Sequence, residues 1–165
     1  MQDNKSNKRD VHFKKVWGDS AESGQVIDFW NRLRALPKGE DALKRSEQIV
    51  FVAKHENQII GVTTAHPIKV SKLNNNYFYN FRVLIDPEFR APGLVDKLCV
   101  LTREFLSENR EYNGVSCVGM ITLVQNEYLK KFRNEMVWPS SGFTYIGKSN
   151  AGHHIRILYF DRAYI

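Results

Sequence analysis

The ten residues YFYNFRVLID, 77–86, alternate aromatic and aliphatic side chains, and Pro87 ends the run because proline has no N–H to give to a ladder. Such length and patterning predict a central strand. Shortly after it, Gly93 opens GLVDKLCVLTREFLSENR, in which Leu94, Leu98, Leu101 and Phe105 share one helical stripe, flanked by Val95, Cys99 and Leu106. A central strand that turns directly into an amphipathic helix calls for a layered α/β architecture.

The remaining segments fit that architecture. VHFKKVW (11–17) reads as an opening strand, and DSAESGQVIDFWNRLRALPKG as a helix. In the helix Asp19 or Ser20 is the expected cap, Val26, Ile27, Phe29, Trp30, Leu33 and Leu36 take helical spacing, and Pro37 and Gly39 act as the stop. QIVFVAKHENQIIGVTTAHPIKV holds two β-branched runs around the polar turn HENQ, a hairpin signature, and KLNNN is a further turn. GVSCVGMITLV predicts a buried strand, NEYLKKFRNEMVW a helix, SSGFTYIGK a strand, SNAGH a turn and HIRILYFD a last strand. The order β-α-β-β-β-α-β-α-β-β predicts a mixed α/β sheet with helices on its faces.

A chain of 165 residues can bury a core without staples and is expected to form one domain over 11–165, with 1–10, MQDNKSNKRD, as a flexible tail. That tail has no apolar stretch of the secretory kind, so a cytoplasmic protein is expected. No window approaches the roughly 18 consecutive apolar residues of a membrane span, so no membrane is expected as a partner. Cys99 and Cys117 lack the spacing of a zinc site and read as core thiols, and the five histidines show no metal spacing. The net charge of +6 favours an anionic partner. Lys and Arg are spread along the chain, apart from NKSNKRD and HFKK, so nucleic acid is not the expected one.

The strand-to-helix junction LIDPEFRAPGLV carries the functional signal. A helix that begins at a glycine leaves its first N–H groups outward, where they and the helix dipole can hold phosphate oxygens. Arg90 can add a charge-assisted contact, and Gly93 permits a close backbone approach. By itself such a glycine more often marks only a turn. In combination, however, the stretch resembles the acyl-CoA loop of the GNAT N-acyltransferase superfamily, in which Arg or Gln is followed after two residues by Gly and, one further on, by Gly or Ala. Arg90, Gly93 and Val95 take those places. Ile85 and Pro87 match the family's Val-x-Pro, Asn126 follows the fifth strand, Gly142 and Phe143 match its late Gly-Phe pair, and the element order agrees over most of the chain.

The resemblance implies a GNAT-like fold: a mixed, mostly antiparallel sheet of about seven strands, helices on both faces, and a splay between strands 4 and 5. It also implies an N-acetyltransferase that moves an acetyl group from acetyl-CoA to a primary amine by direct attack, with no metal. The acceptor would be a small-molecule amine or a peptide or protein amine. The implied cofactor contacts are Leu84 and Ile85 on the strand, Arg90, Ala91, Pro92, Gly93, Leu94 and Val95 in the loop, and Asn126 across the splay. Val83 would supply the oxyanion N–H.

Three departures at the loop predict a weaker or reshaped cradle: Pro92 lacks an N–H, Val95 is bulkier than Gly or Ala, and Asp96 adds negative charge. Tyr79 stands where some members carry a Glu base; it is either a proton relay through water, or a packing aromatic or pocket wall. Trp138 falls where many members carry a Tyr acid, which leaves Tyr128 as the candidate acid. His66, His153 and His154 are either acceptor-side groups or solvated, and Asp86 and Glu88 read as a strand-end cap or solvated charges. An inactive acyl-CoA-binding or regulatory module with the same fold is the alternative, and exposed last strands leave a homodimer open.

Overall fold

Strand β4 (Asn76–Ile85) lies at the middle of one mixed sheet, and alternate side chains divide its packing between two layers. In this computed structural model, which describes residues 10–165, β4 is flanked by β3 (Gln58–Val70) and β6 (Val115–Val124). The sheet runs β1-β2-β3-β4-β6-β8-β7, with β1 at His12–Lys15, β2 at Ile49–His55, β7 at Thr144–Lys148 and β8 at His154–Tyr159. A two-residue strand β5 (Glu111–Tyr112) pairs with β6 off this path, so the sheet has eight strands where about seven were expected. Every pairing is antiparallel except β4 with β6. The tail expected at 1–10 falls outside the described residues except for Asp10.

One face is covered by α3 (Leu94–Glu108), whose Leu94, Leu98 and Leu106 pack with Tyr79, Phe81 and Ile85 of β4. Cys99 and Cys117 lie in this layer as free thiols, and burial pushes both up to about 12, so they are protonated packing groups. The other face is covered by α1 (Ser23–Arg32), whose Val26, Phe29 and Trp30 pack with Ile49, Val52, Ile59 and Val62, with Leu84 against them.

The first helix is shorter than the 19–39 pattern suggests. Glu22, not Asp19 or Ser20, is its N-cap residue, and the Asp19 carboxylate accepts from the Ala21 N–H instead. At the other end Arg34 takes a left-handed conformation (φ 51°), with Arg34 N–H donated to Asn31 O and Ala35 N–H to Trp30 O. That double bond pattern closes the helix before Pro37 is reached. A short helix α2 (Ala42–Ser46), unexpected from the pattern, follows; the Asp41 carboxylate caps it by accepting from Leu43 and Lys44 N–H. The expected helix 126–138 stops at α4 (Glu127–Phe132), and β7 starts later than SSGFTYIGK suggested.

The start of α1 is fixed by charge. Glu22, only 7% exposed, has carboxylate oxygens 2.7 Å from Lys54 Nζ and 3.0 Å from Lys14 Nζ, which tie α1 to β2 and β1. Lys54 and then Lys14 hold its carboxyl below the ordinary 4.5, against the burial that would raise it. A depressed carboxylate stabilises the fold above its unfolded-state pKa, and the gain is lost as pH falls through its folded value. Glu22→Gln is therefore expected to cost about 2 kcal/mol at neutral pH and to flatten the acid limb of stability against pH. Urea unfolding across that range checks it; an unchanged acid limb would remove the assignment. Gly119 is a second constraint: a Cβ there would overlap the Leu158 carbonyl of β8. Gly119→Ala is expected to cost about 3 kcal/mol, read from the same unfolding curves.

Candidate active site

The site forms where β4 and β6 separate. Their register runs Tyr77↔Cys117, Phe78↔Gly119, Tyr79↔Met120 and Asn80↔Ile121, then ends, while β4 continues to Ile85 beside β3 and β6 to Val124 beside β8. Backbone polarity decides what faces the gap. Asp86 N–H donates to Ile60 O at 2.8 Å, and Gly61 stands opposite Ile85. In an antiparallel ladder, N–H and C=O groups alternate between the two edges of a strand. Asn80, Arg82 and Leu84 therefore bond β3, whereas Val83 and Ile85 turn their N–H and C=O groups to the gap, with no strand opposite among the described residues.

Beyond Ile85 the chain makes one 3-10 turn, Pro87–Phe89, capped by Asp86, whose Oδ1 accepts from Glu88 N–H at 3.0 Å. Asp86 is 1% exposed and its Oδ2 lies 2.8 Å from Arg32 Nη1, so the turn is pinned to the end of α1. Arg90, Ala91, Pro92 and Gly93 then run exposed into α3. Gly93 is the N-cap residue at φ 84°, left-handed, and contributes no side-chain cap. Leu94 N–H reaches Ala91 O at 3.3 Å, and Gly93 O accepts from Lys97 N–H. The N–H groups of Val95 and Asp96 are left as the orphan donors of a first helical turn, with the dipole behind them.

The three departures at the loop take definite positions. Val95 packs its side chain against the α3-side core, so its bulk points away from the loop. Asp96 lies 3.4 Å from Arg133 Nη2, which offsets its charge and joins α3 to the segment after α4. Pro92 precedes the donors of the first turn and removes none of them.

The far bank is organised by Arg156, 1% exposed, which donates to Met136 O (3.4 Å), Phe143 O (3.3 Å) and Arg133 O (3.2 Å). Its guanidinium lies over the Trp138 ring at 4.5 Å, and Trp138 Nε1 donates to Arg133 O. Burial pulls the Arg156 pKa down, but an arginine starts high enough to remain charged. Nothing along the chain signals this group, since an arginine within HIRILYF looks like any outward strand residue. Asn126 caps α4, its Oδ1 accepting from Leu129 N–H at 3.1 Å, which leaves its Nδ2 outside the cap. Gly142 and Phe143 precede β7, and Phe143 stacks on Phe81 of β4 with centroids 5.7 Å apart.

The expected residues thus divide. Val83, Ile85, Arg90, Ala91, Pro92, Gly93, Leu94 and Val95 are brought into one run, with Asn126 at the end of β6. Leu84 differs from its neighbours: its polar groups serve β3 and its side chain packs towards α1. Tyr79 is fully buried on the α3 side and donates its hydroxyl to Asn109 O at 2.6 Å, and burial raises its pKa further. Of its two expected roles, packing is the one this geometry serves. Tyr128 is 63% exposed and lies on Phe132, centroids 4.8 Å apart. His153 and His154 flank the start of β8, and His154 lies opposite Val124.

The sequence matches no protein-family model, and no curated protein matches it significantly. Solved structures do match in fold. One is yncA from Salmonella typhimurium with its cofactor acetyl-CoA, at TM-score 0.66 and 12% identity over 94% of this chain and 96% of that one. Agmatine N-acetyltransferase gives 0.66 and 13% over 91% and 99%. A GNAT-family acetyltransferase from Streptococcus pneumoniae gives 0.64 and 10% over 92% and 99%. The chain has the GNAT acetyltransferase fold: a mixed, mostly antiparallel sheet with one parallel pair and flanking helices.

The left-handed Gly93 gives a direct test of the loop. A Cβ there meets nothing within 4 Å, so Gly93→Ala is expected to cost only the left-handed penalty, about 1 kcal/mol, seen as a small fall in the urea midpoint. A much larger loss would mean that packing, and not backbone conformation, requires the glycine.

Proposed function

We propose that this protein is an N-acetyltransferase that moves the acetyl group of acetyl-CoA to a primary amine by direct attack. The observation that carries the reading is the juxtaposition of two sets of backbone donors. Val83 and Ile85 face a gap in the sheet, and one turn later the same strand leads into the uncapped N-terminus of α3. Arg90 and the N–H groups of Val95 and Asp96 suit a pyrophosphate. Ile85 suits an extended amide-bearing arm added as a strand, and the Nδ2 of Asn126 can meet that arm from the β6 side. Acetyl-CoA supplies the activated acyl group as a thioester.

The amine nitrogen, once deprotonated, forms a C–N bond to the thioester carbon. The Val83 N–H is directed at the oxygen that becomes negative there. Collapse breaks the C–S bond, the thiolate takes a proton from Tyr128, the proposed donor, and the proton that the nitrogen sheds on becoming an amide restores the Tyr128 hydroxyl through solvent. The acceptor is a small-molecule, peptide or protein amine. A cytoplasmic setting accords with Cys99 and Cys117 being free thiols. No described helix is long and apolar enough to cross a membrane. A homodimer formed through the edge strand β7 is part of the proposal.

Two observations favour a second reading. Tyr79 is spent on Asn109, and Trp138 stands where an acid is expected, so a non-catalytic acyl-CoA-binding module is the alternative. Calorimetry and thiol release separate the two. Acetyl-CoA is expected to bind at micromolar Kd, and Arg90→Ala to weaken it about tenfold, the worth of one charge-assisted contact. Thiol release on addition of amines is expected to accompany binding. Binding without turnover on any amine would select the module, and no binding would overturn both.

A further inference from the structure

The face of β4 opposite α3 bears a charged group that the proposed chemistry leaves unused. Arg82 lies in the splayed part of β4, next to Val83, with its side chain on the α1 face and 45% exposed. The chain between α1 and α2 crosses this face and brings Glu40 to it. Glu40 Oε1 is 2.9 Å from Arg45 Nη1 and 3.5 Å from Arg82 Nη1, so two guanidinium groups share one carboxylate oxygen. Arg45 is held in place by stacking over Trp30 at 5.3 Å, and its Nε is buried without a partner. His66, half-buried on β3 beside Asn80, feels both arginines, and burial and their charges keep its imidazole neutral more firmly than usual. The cluster therefore carries one net positive charge, and the half-exposed Arg82 has only a long contact to answer it.

This arrangement has a direction. Phosphates held at the N-terminus of α3 belong to the α3 side of the sheet, so an amine that reaches the Val83 position without meeting the cofactor enters from the face that carries Arg82 and Glu40. A second ammonium on that amine would meet Arg82 and Arg45, and a carboxylate would complete them. We infer that the acceptor carries a carboxylate as well as its amine, and that Arg82 is the residue that selects it. The inference rests on the acyltransferase reading above and names the substrate class of that site.

The test compares amines of matched length that bear a carboxylate, no charge or a second ammonium, such as 5-aminopentanoate, pentylamine and cadaverine. Glutamate and an acid-initiated peptide extend the first group. Acetyl-CoA binding is measured in parallel by calorimetry. The carboxylate-bearing amines are expected to give the highest kcat/KM. Arg82→Gln should lower it about 10- to 100-fold through KM, with kcat held, and should leave the neutral amine within about twofold. Arg82→Lys should keep the preference at reduced strength, and Arg82→Glu should transfer it to the diamine. Since Arg82 is half exposed, unchanged thermal midpoints are expected for all three variants. If acetyl-CoA binds but the carboxylate-bearing amines are not preferred, or are not used at all, the inference falls and the cofactor reading stands. If acetyl-CoA does not bind, both fall.

Discussion

β4 and β6 run side by side through four paired residues and then diverge, and the site depends on that divergence. A paired strand has no backbone groups to offer. A strand whose neighbour has turned away presents them at fixed spacing, already oriented by the ladder on its other edge. Because Asp86 fixes the phase of pairing with β3, Val83 and Ile85 have no choice about which way they face. What orients the bank is an ordinary antiparallel pair, β4 with β3.

Holding two strands apart leaves each bank in need of support, and polar anchors supply it. Asp86 with Arg32 fastens the turn before the loop to α1, and Asp96 with Arg133 joins α3 to the opposite bank. Arg156 gathers three carbonyls of the segment that follows α4. The carbonyls of Arg133, Met136 and Phe143 belong to an irregular segment, where they would otherwise lack donors. The aromatic stack of Phe81 on Phe143 carries the same closure through the core.

Much of this was legible in the chain. The apolar run at 77–86, its stop at Pro87 and the stripe from Leu94 to Phe105 placed the central strand and α3, because both are long and strongly periodic. The end of α1 was not legible: Arg34 closes it in a left-handed conformation, an unusual choice for arginine, and the pattern of Leu33 and Leu36 runs on past it. Helix α2 escaped because ALKRS has no periodic apolar face, only the Asp41 cap. At the site, Arg90 and Gly93 could be picked out by type and spacing. Leu84 could not be separated from Val83 and Ile85, since which of three neighbours faces a gap depends on pairing phase. Tyr79 could not be assigned between its two roles without knowing that α3 covers its side of β4.

The sequence by itself determined the order of the longer elements and the strand-to-helix junction with its glycine, because these follow from local periodicity and from the backbone freedom of single residues. Tertiary structure alone decided which backbone groups stay unpaired, how Asp96 is offset, and that Glu40, Arg45, Arg82 and His66 meet on one face. Those facts are set by register and by which layer covers which face. Contacts between residues distant along the chain, such as Glu40 with Arg82 or Asp96 with Arg133, leave no periodic trace in it.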